Sequence, residues 1–313
     1  MRFFLDTNLV SYIASSPRQE AILRHFLRHR YRVAVTTELL VEISRAPAAE
    51  RVARFTLLRS LGARFTFPPS DFVEAAEVRA EITRCHPEWL QPSPDATDAH
   101  RLLAERRDVW VQYVRDPAFD IAALLPPYLE ASGSATRQVA EFQKGVRQFV
   151  RENPGARVAA TDPDIARLIQ PHDDFNRYWR LASAQAWHQA LRGGKSMRDY
   201  RDWLSPYVLP GTTDRKEWFL FWASEVNPRQ VSRSSLRCAV EYCQVSQKVT
   251  IGNAADANHA LNLLSVDRFL TCDRDFHAAM CKAAAILPFR MPLPRLVDRS
   301  LQDPLEAILN ALR

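Results

Sequence analysis

The stretch that decides the fold is RFFLDTNLVSYIA, residues 2–14. RFFL has the composition of a short buried strand, and it stops at a single acid, Asp6. The pattern then becomes helical at once, with Thr7 or Asn8 able to cap a helix that runs to about Ala14. A strand that ends on an acid and turns straight into a helix is a βα unit, and the alternation continues downstream. Residues 18–30 carry helical apolar spacing at Ile22, Leu23, Phe26 and Leu27. YRVAVTT (31–37) is β-branched and reads as a strand; ELLVEISRA (38–46) and residues 49–61 read as helices. Gly62 interrupts them, ARFTF (63–67) is a third strand ending at Pro68-Pro69, and Ser70 opens the helix DFVEAAEVRAEITRC. Strands alternating with helices predict an α/β fold with a parallel sheet.

From about residue 85 the strand signal fades. Helices are expected at 99–114, 134–152, 173–192, 196–204, 213–225 and 234–247, with Pro and Gly between many of them. All seven tryptophans fall here: Trp89, Trp110, Trp179, Trp187, Trp203, Trp218 and Trp222. Most sit at helical spacing beside other apolar residues, as the core of a helical subdomain would. Aromatic faces among arginines are also what single-stranded nucleic acid stacks on, so both readings stand. The α/β pattern resumes near 248. AADANHALNLL (254–264) is a helix and VDRFLTCD (266–273) a strand with Asp273 at its end. DFHAAMCKAAA is a helix, RLVDRS an edge strand, and DPLEAILNALR a last helix. Residues 1–84 and 248–313 thus read as one discontinuous α/β domain, with 85–247 as a helical insertion.

Composition narrows the class. The chain of 313 residues is 47% hydrophobic and 25% charged, enough for a sizeable core. No stretch approaches the roughly 20 apolar residues of a membrane span. MRFFLDTN is too short for the apolar region of a secretory signal, so a cytoplasmic protein with no membrane partner is expected. Cys85, Cys238, Cys243, Cys272 and Cys281 are odd in number and form no CxxC pair, which suggests reduced thiols rather than a zinc site. Eight glycines without a Gly-rich loop after a strand argue against nucleotide cradles of the Walker or Rossmann kind. The net charge is +6, and residues 1–65 hold eleven Arg against five acids. Arg24, Arg28, Arg30 and Arg32 crowd one stretch. A basic surface beside an acidic cluster would draw phosphates, whereas a solvated helix face is the plainer alternative.

Four acids carry the chemistry. Open parallel sheets bind ligands outside the carboxyl ends of their strands. Asp6 and Asp273 both fall there. Glu42 lies just over one turn into the helix after the second strand, and Asp256 on the helix before the strand of Asp273. Carboxylates converging at one sheet edge repel and raise each other's pKa unless a cation neutralises them. Their oxygens are hard ligands, suited to Mg²⁺ or Mn²⁺. Glu38 competes with Glu42 from one turn earlier.

The motifs DTNLV (6–10), T-x5-E at Thr36 and Glu42, DANHAL (256–261) and LTCDRDF (270–276) resemble those of the PIN-domain nucleases. The resemblance covers roughly residues 1–84 and 248–300. It implies a PIN-like three-layer fold with a central parallel sheet, interrupted here by the large all-helical insertion. It also implies a metal-dependent endonuclease, most readily a ribonuclease, with Asp6, Glu42, Asp256 and Asp273 as catalytic metal ligands. Asp275 stands where some members keep an additional acid. Asn8 and Thr271 would shape the site. Arg45, Arg268 and Arg274, near the acidic motifs in sequence, are candidates for substrate phosphates or plain surface charges. An antitoxin or other protein partner is expected by analogy with toxin-type members. The insertion far exceeds the short hairpin of those members.

Other readings are weaker or stay open. An aspartyl-phosphate mechanism at Asp6 lacks a second Asp, since position 8 is Asn. Cys272 has no evident His partner that would make it a nucleophile. His259, three residues after Asp256, reads as structural or solvent-facing, with a metal-ligand role as the alternative. Asp173 and Asp174, after His172, suit a helix cap. A non-catalytic PIN-fold scaffold binding protein or RNA, or a structure-specific DNA nuclease, remain as alternative functions.

Overall fold

A computed structural model describes residues 1–65, 69–115, 148, 152, 175–192, 198–211, 215–244, 257–301 and 303–312. The expected order is present. Strand β1 (Arg2–Leu5) leads into α1 (Thr7–Ala14) and α2 (Gln19–Arg28), and β2 (Arg32–Val35) into α3 (Thr37–Ser44) and α4 (Ala48–Ser60). Strand β3 (Arg64–Phe65) is followed by α5 (Ser70–Cys85) and α6 (Thr97–Arg115). The later helices are α7 (Phe175–Leu191), α8 (Arg198–Leu204), α9 (Arg215–Leu220) and α10 (Ser232–Gln244). Strand β4 (Arg268–Thr271), α11 (Arg274–Ile286), β5 (Arg295–Leu296) and α12 (Pro304–Leu312) close the chain. The helix expected at 134–152 and the cap at Asp173 and Asp174 lie outside the described residues, apart from positions 148 and 152.

The five strands form one sheet in the order β3-β2-β1-β4-β5, and every pairing is parallel. Parallel strands covered on both faces should be apolar throughout, and Phe3, Phe4, Leu5, Val33, Phe269 and Leu270 are all buried. Helices α1 to α4 pack on one another, while α5 meets α8 and α10, and α10 meets α11. The chain is therefore an α/β protein with an all-parallel sheet. No helix among the described residues is long and apolar enough to cross a membrane. None of the five cysteines is in a disulfide.

The described helices of the insertion share one continuous hydrophobic core with the sheet domain. Trp179, Trp187, Trp218 and Trp222 are fully buried, and Trp89 and Trp203 nearly so. Those six are packing residues, which removes them as a stacking platform; the side chain of Trp110 is outside the described set. Strand-to-helix chain direction alone would not hold such a block in place. A row of acids on α5 does. Trp203 Nε1 donates to Asp71 at 2.7 Å, and Ser234 Oγ and Arg237 Nη2 donate to Glu74 at 2.6 Å each. Arg233 donates to Glu77 through its backbone N–H at 3.0 Å and through its guanidinium. The Asn227 N–H donates to Glu81 at 2.8 Å. These acids recur at helical spacing, so one face of α5 receives the insertion along its length.

Glu74 is fully buried and its partner Arg237 nearly so. Removing one member of a buried ion pair leaves the other charge uncompensated. Glu74→Ala is expected to cost about 3–5 kcal/mol in urea unfolding. Because every tryptophan lies between 89 and 222, fluorescence should follow the insertion while far-UV circular dichroism follows all helices. With one shared core, the two transitions of the wild type are expected to coincide.

Candidate active site

The sheet order reverses between β1 and β4, and such a switch point leaves a crevice outside the carboxyl ends of the two strands. The register aligns the residues that face it. Phe4 pairs with Ala34 and Leu5 with Leu270. Carried past the strand ends, Thr36, Asp6 and Thr271 fall in one row across three adjacent strands. The Asp6 N–H extends the ladder by donating to the Leu270 carbonyl at 3.1 Å.

Each of these strands hands over to a helix through a capping side chain. Asp6 is the N-cap of α1 and accepts from the Leu9 N–H at 2.5 Å. Thr36 caps α3 by accepting from Leu39 N–H. Asp273 caps α11, accepting from Phe276 N–H at 2.9 Å. An N-cap side chain satisfies a helix amide that has no partner within the helix. The same geometry points two carboxylates at one crevice.

Asp6 is 7% exposed. Its second oxygen accepts from the buried Thr271 hydroxyl, which in turn accepts from the Asp273 N–H at 2.9 Å. Burial pushes the Asp6 carboxyl up to about 6, against the hydrogen bonds from Thr271 and Leu9 and the charge of His259. The neighbouring Asp273 adds to the rise. No Lys or Arg pairs with Asp6 among the described residues. Asn8 Nδ2 reaches Asp273 at 3.5 Å, an outer-limit contact that ties the start of α1 to the start of α11.

Glu42 comes in from the β2 side. It accepts from the Thr7 hydroxyl and pairs with His259 Nε2 at 3.1 Å. Burial raises its pKa, but the His259 charge and the hydrogen bonds from His259 and Thr7 outweigh this and hold it below the usual carboxylate range. Glu38 instead accepts from Ser70 at 3.2 Å, on the α5 side. Of the two competing acids, Glu42 is the one in contact with the α1 start.

His259 is 5% exposed and rests 5.8 Å, centroid to centroid, from the Phe4 ring. Its charge bears on both Asp6 and Glu42. The solvent-facing reading of this residue is thereby corrected: the helix 257–261 turns it inward onto the sheet end. The available signal was its place one turn after Asp256 in DANHAL. Thr7 was also missed as the donor to Glu42. A threonine beside a cap has many local uses, and only the tertiary contact selects one.

Other expected site residues separate. Asp256 lies outside the described residues. Asp275 is exposed in the first turn of α11, where its charge favours the helix N-terminus, and makes no hydrogen bond with the other acids. Arg45 caps the C-terminus of α3 and its charge bears on Glu42. Arg274 lies next to Asp273 but pairs with Asp298 at 3.2 Å. Arg268 opens β4 opposite Phe3, at the amino end of the sheet and away from the crevice. Arg24, Arg28, Arg30 and Arg32 also lie toward that amino end, so the basic stretch is not beside the acids. The cause is chain direction: α2 runs back before β2 begins. Cys272 is pushed up to about 12 by burial and by Asp6, which keeps it a protonated thiol and removes it as a nucleophile.

The donor set is hard oxygen, and a buried carboxylate with a raised pKa and no paired base is the setting a divalent cation relieves. By donor type alone Asp6, Glu42 and Asp273 match Mg²⁺ or Mn²⁺, and Asp256, the fourth expected ligand, lies outside the described residues. Among the described residues alone, no three His, Cys, Asp or Glu side chains are close enough to hold an ion. Compared with protein-family models, curated proteins and solved structures, the chain matches none.

Asp6 gives a pH test. A carboxyl whose pKa is raised on folding holds its proton more tightly in the native state than in the unfolded chain. Native stability therefore falls as pH rises from about 3.8 to about 6. In metal-free buffer at pH 7, Asp6→Asn is expected to be the more stable protein by on the order of 2–3 kcal/mol. That gain should vanish below about pH 4, where Asp6 is protonated in both states. Thermal midpoints of both proteins across this range measure it.

Proposed function

We propose that this chain is a metal-dependent endonuclease of PIN type that cleaves RNA. The observation that carries the reading is the pair Asp6 and Asp273, each at the end of a strand flanking the switch point, with Glu42 reaching the same end of the sheet from the neighbouring strand's helix. An all-parallel α/β sheet with an acid at each of these junctions agrees with the PIN motifs read from DTNLV, T-x5-E and LTCDRDF.

In this reading Asp6, Glu42, Asp256 and Asp273 hold one or two Mg²⁺ or Mn²⁺ ions. An ion held there would supply activation of water and stabilisation of charge at a phosphodiester. The protein's own part is positional. Thr271 and the Leu9 N–H fix the two oxygens of Asp6, and Thr7 and His259 fix those of Glu42. Residues that orient ligands in this way commonly matter for affinity by one to two orders of magnitude. The Glu42–His259 pair also brings the start of the helix 257–261 to the crevice, which supports a role for Asp256 just before it. A toxin role with a protein antitoxin, and cytoplasmic action, belong to the proposal by analogy with the family.

Asp6→Asn and Asp256→Asn are each expected to lower cleavage of RNA by roughly 10³-fold or more, several kcal/mol of transition-state stabilisation, while the protein stays folded. Calorimetric titration with Mn²⁺ checks the metal directly: the wild type should bind, and Asp6→Asn should bind far more weakly. Mn²⁺ binding with cleavage of DNA and not RNA would point to a DNA nuclease. A folded protein that neither takes up Mn²⁺ nor cuts nucleic acid would be a scaffold, and the nuclease reading would fall.

A further inference from the structure

We propose that the amino-terminal edge of the sheet is a second surface that binds single-stranded RNA, built from Arg2, Arg28, Arg30 and Arg32 around the stacked rings of His29 and Tyr31. Arg2 opens β1 and Arg32 opens β2, and the register pairs them directly. Arg28 ends α2, and His29 and Arg30 form the turn into β2. All four arginines and His29 are exposed. None of the four guanidinium groups makes a hydrogen bond or ion pair among the described residues. Two acids of the adjoining elements are engaged elsewhere: Asp267 accepts from the Arg2 backbone N–H at 2.7 Å, and Glu20 faces Arg24 at 3.8 Å.

The rings supply the other half of the argument. His29 stacks on Tyr31 with centroids 5.5 Å apart and planes 23° from parallel. Tyr31 is braced from beneath by Phe3 at 4.6 Å and Phe26 at 5.5 Å. His25 lies 4.4 Å from His29, and burial together with the His29 and Arg28 charges holds its pKa below the ordinary value. An exposed ring on a packed aromatic base, with exposed arginines at the neighbouring positions, matches the stacking-plus-phosphate pattern by which single strands are held. Leu27 and Met1 are the large exposed hydrophobics near this edge, too little for insertion into a lipid surface.

Arg30 gives a second, independent sign. Helices α2 and α4 end in the same way. Tyr31 N–H donates to Phe26 O and Arg30 N–H to Leu27 O; Ala63 N–H donates to Leu58 O and Gly62 N–H to Arg59 O. This double closure places its left-handed residue at Arg30 in one case (φ 52°) and at Gly62 in the other (φ 60°). Glycine adopts that conformation freely, whereas an arginine is strained in it. The strain buys nothing for the fold that glycine would not supply. It does keep an exposed arginine in the turn between His29 and Tyr31.

The patch lies at the opposite end of the strands from Asp6, roughly 13 Å away along a four-residue strand. It is therefore a separate site that would retain RNA rather than cut it. The choice of RNA rests on the ribonuclease reading, and the experiment measures binding without cleavage so that the two can fail separately. A labelled single-stranded RNA of about 20 nucleotides is titrated into the full-length Asp6→Asn protein with chelator present, at several salt concentrations. Adding Arg28→Ala, Arg30→Ala and Arg32→Ala together should weaken binding at least about tenfold. The slope of log affinity on log salt should shrink by about 2, as loss of three phosphate contacts on a single strand requires. His29→Ala should weaken binding with the slope unchanged. Arg30→Gly separates binding from folding: its thermal midpoint should rise by a few degrees while RNA affinity falls. Unchanged RNA affinity and slope in the triple variant would overturn the proposal. So would binding of phosphatidylserine vesicles or polyglutamate in preference to RNA. RNA retained by the patch but never cut by the wild type would leave this site standing and remove the nuclease reading.

Discussion

Everything at the crevice depends on one buried carboxylate, Asp6, which forms no ion pair among the described residues although the His259 charge bears on it. Asp6 ends the central strand, caps the first helix and accepts the Thr271 hydroxyl from the next strand. Those hydrogen bonds hold it in place without fully offsetting its burial, and the Asp273 charge nearby works against it. A protein selected for stability alone would place an asparagine or serine there, since either caps a helix without a buried charge. A buried carboxylate with a raised pKa at a switch point is what marks the crevice as a candidate site.

Two acidic arrays in this molecule behave in opposite ways. Along α5, Glu74, Glu77 and Glu81 each face an arginine or a backbone amide from the same structural unit or the insertion, so the charges are consumed in holding the insertion on. At the crevice, among the described residues, His259 pairs with Glu42 and neither Asp6 nor Asp273 makes an ion pair. A count of acids cannot distinguish these arrays. What separates them is whether an Arg arrives from another element, and Arg233 and Arg237, which meet Glu77 and Glu74, come from more than a hundred residues away in sequence.

The insertion is equally instructive about aromatic residues. Trp179, Trp218 and Trp222 meet edge-on or tilted around one centre, and Trp218 Nε1 donates to the Ala184 carbonyl. Arg180 donates to the Trp222 and Val226 carbonyls, closing the π-helical turn at 221–225. The tryptophans make the insertion a packed extension of the main core. At the amino end of the sheet the exposed ring is instead His29, stacked on the half-buried Tyr31 in a short turn.

What the sequence determined by itself was the order and type of elements and the two acids at strand ends. Period and capping are local properties, so RFFL-D and VDRFLT-CD could be read as strands closing on Asp6 and Asp273 without knowing where any other residue went. Strand order, the pairing of Glu42 with Thr7 and His259, the inward turn of His259, the docking of the insertion on α5 and the placement of the arginines at the far end of the sheet came only with the tertiary structure. These are contacts between residues distant in the chain, and their partners are chosen by register and packing. Glu38 and Glu42 illustrate the limit: one helical turn apart and alike in composition, they face Ser70 and His259 because of what packs against each side of α3.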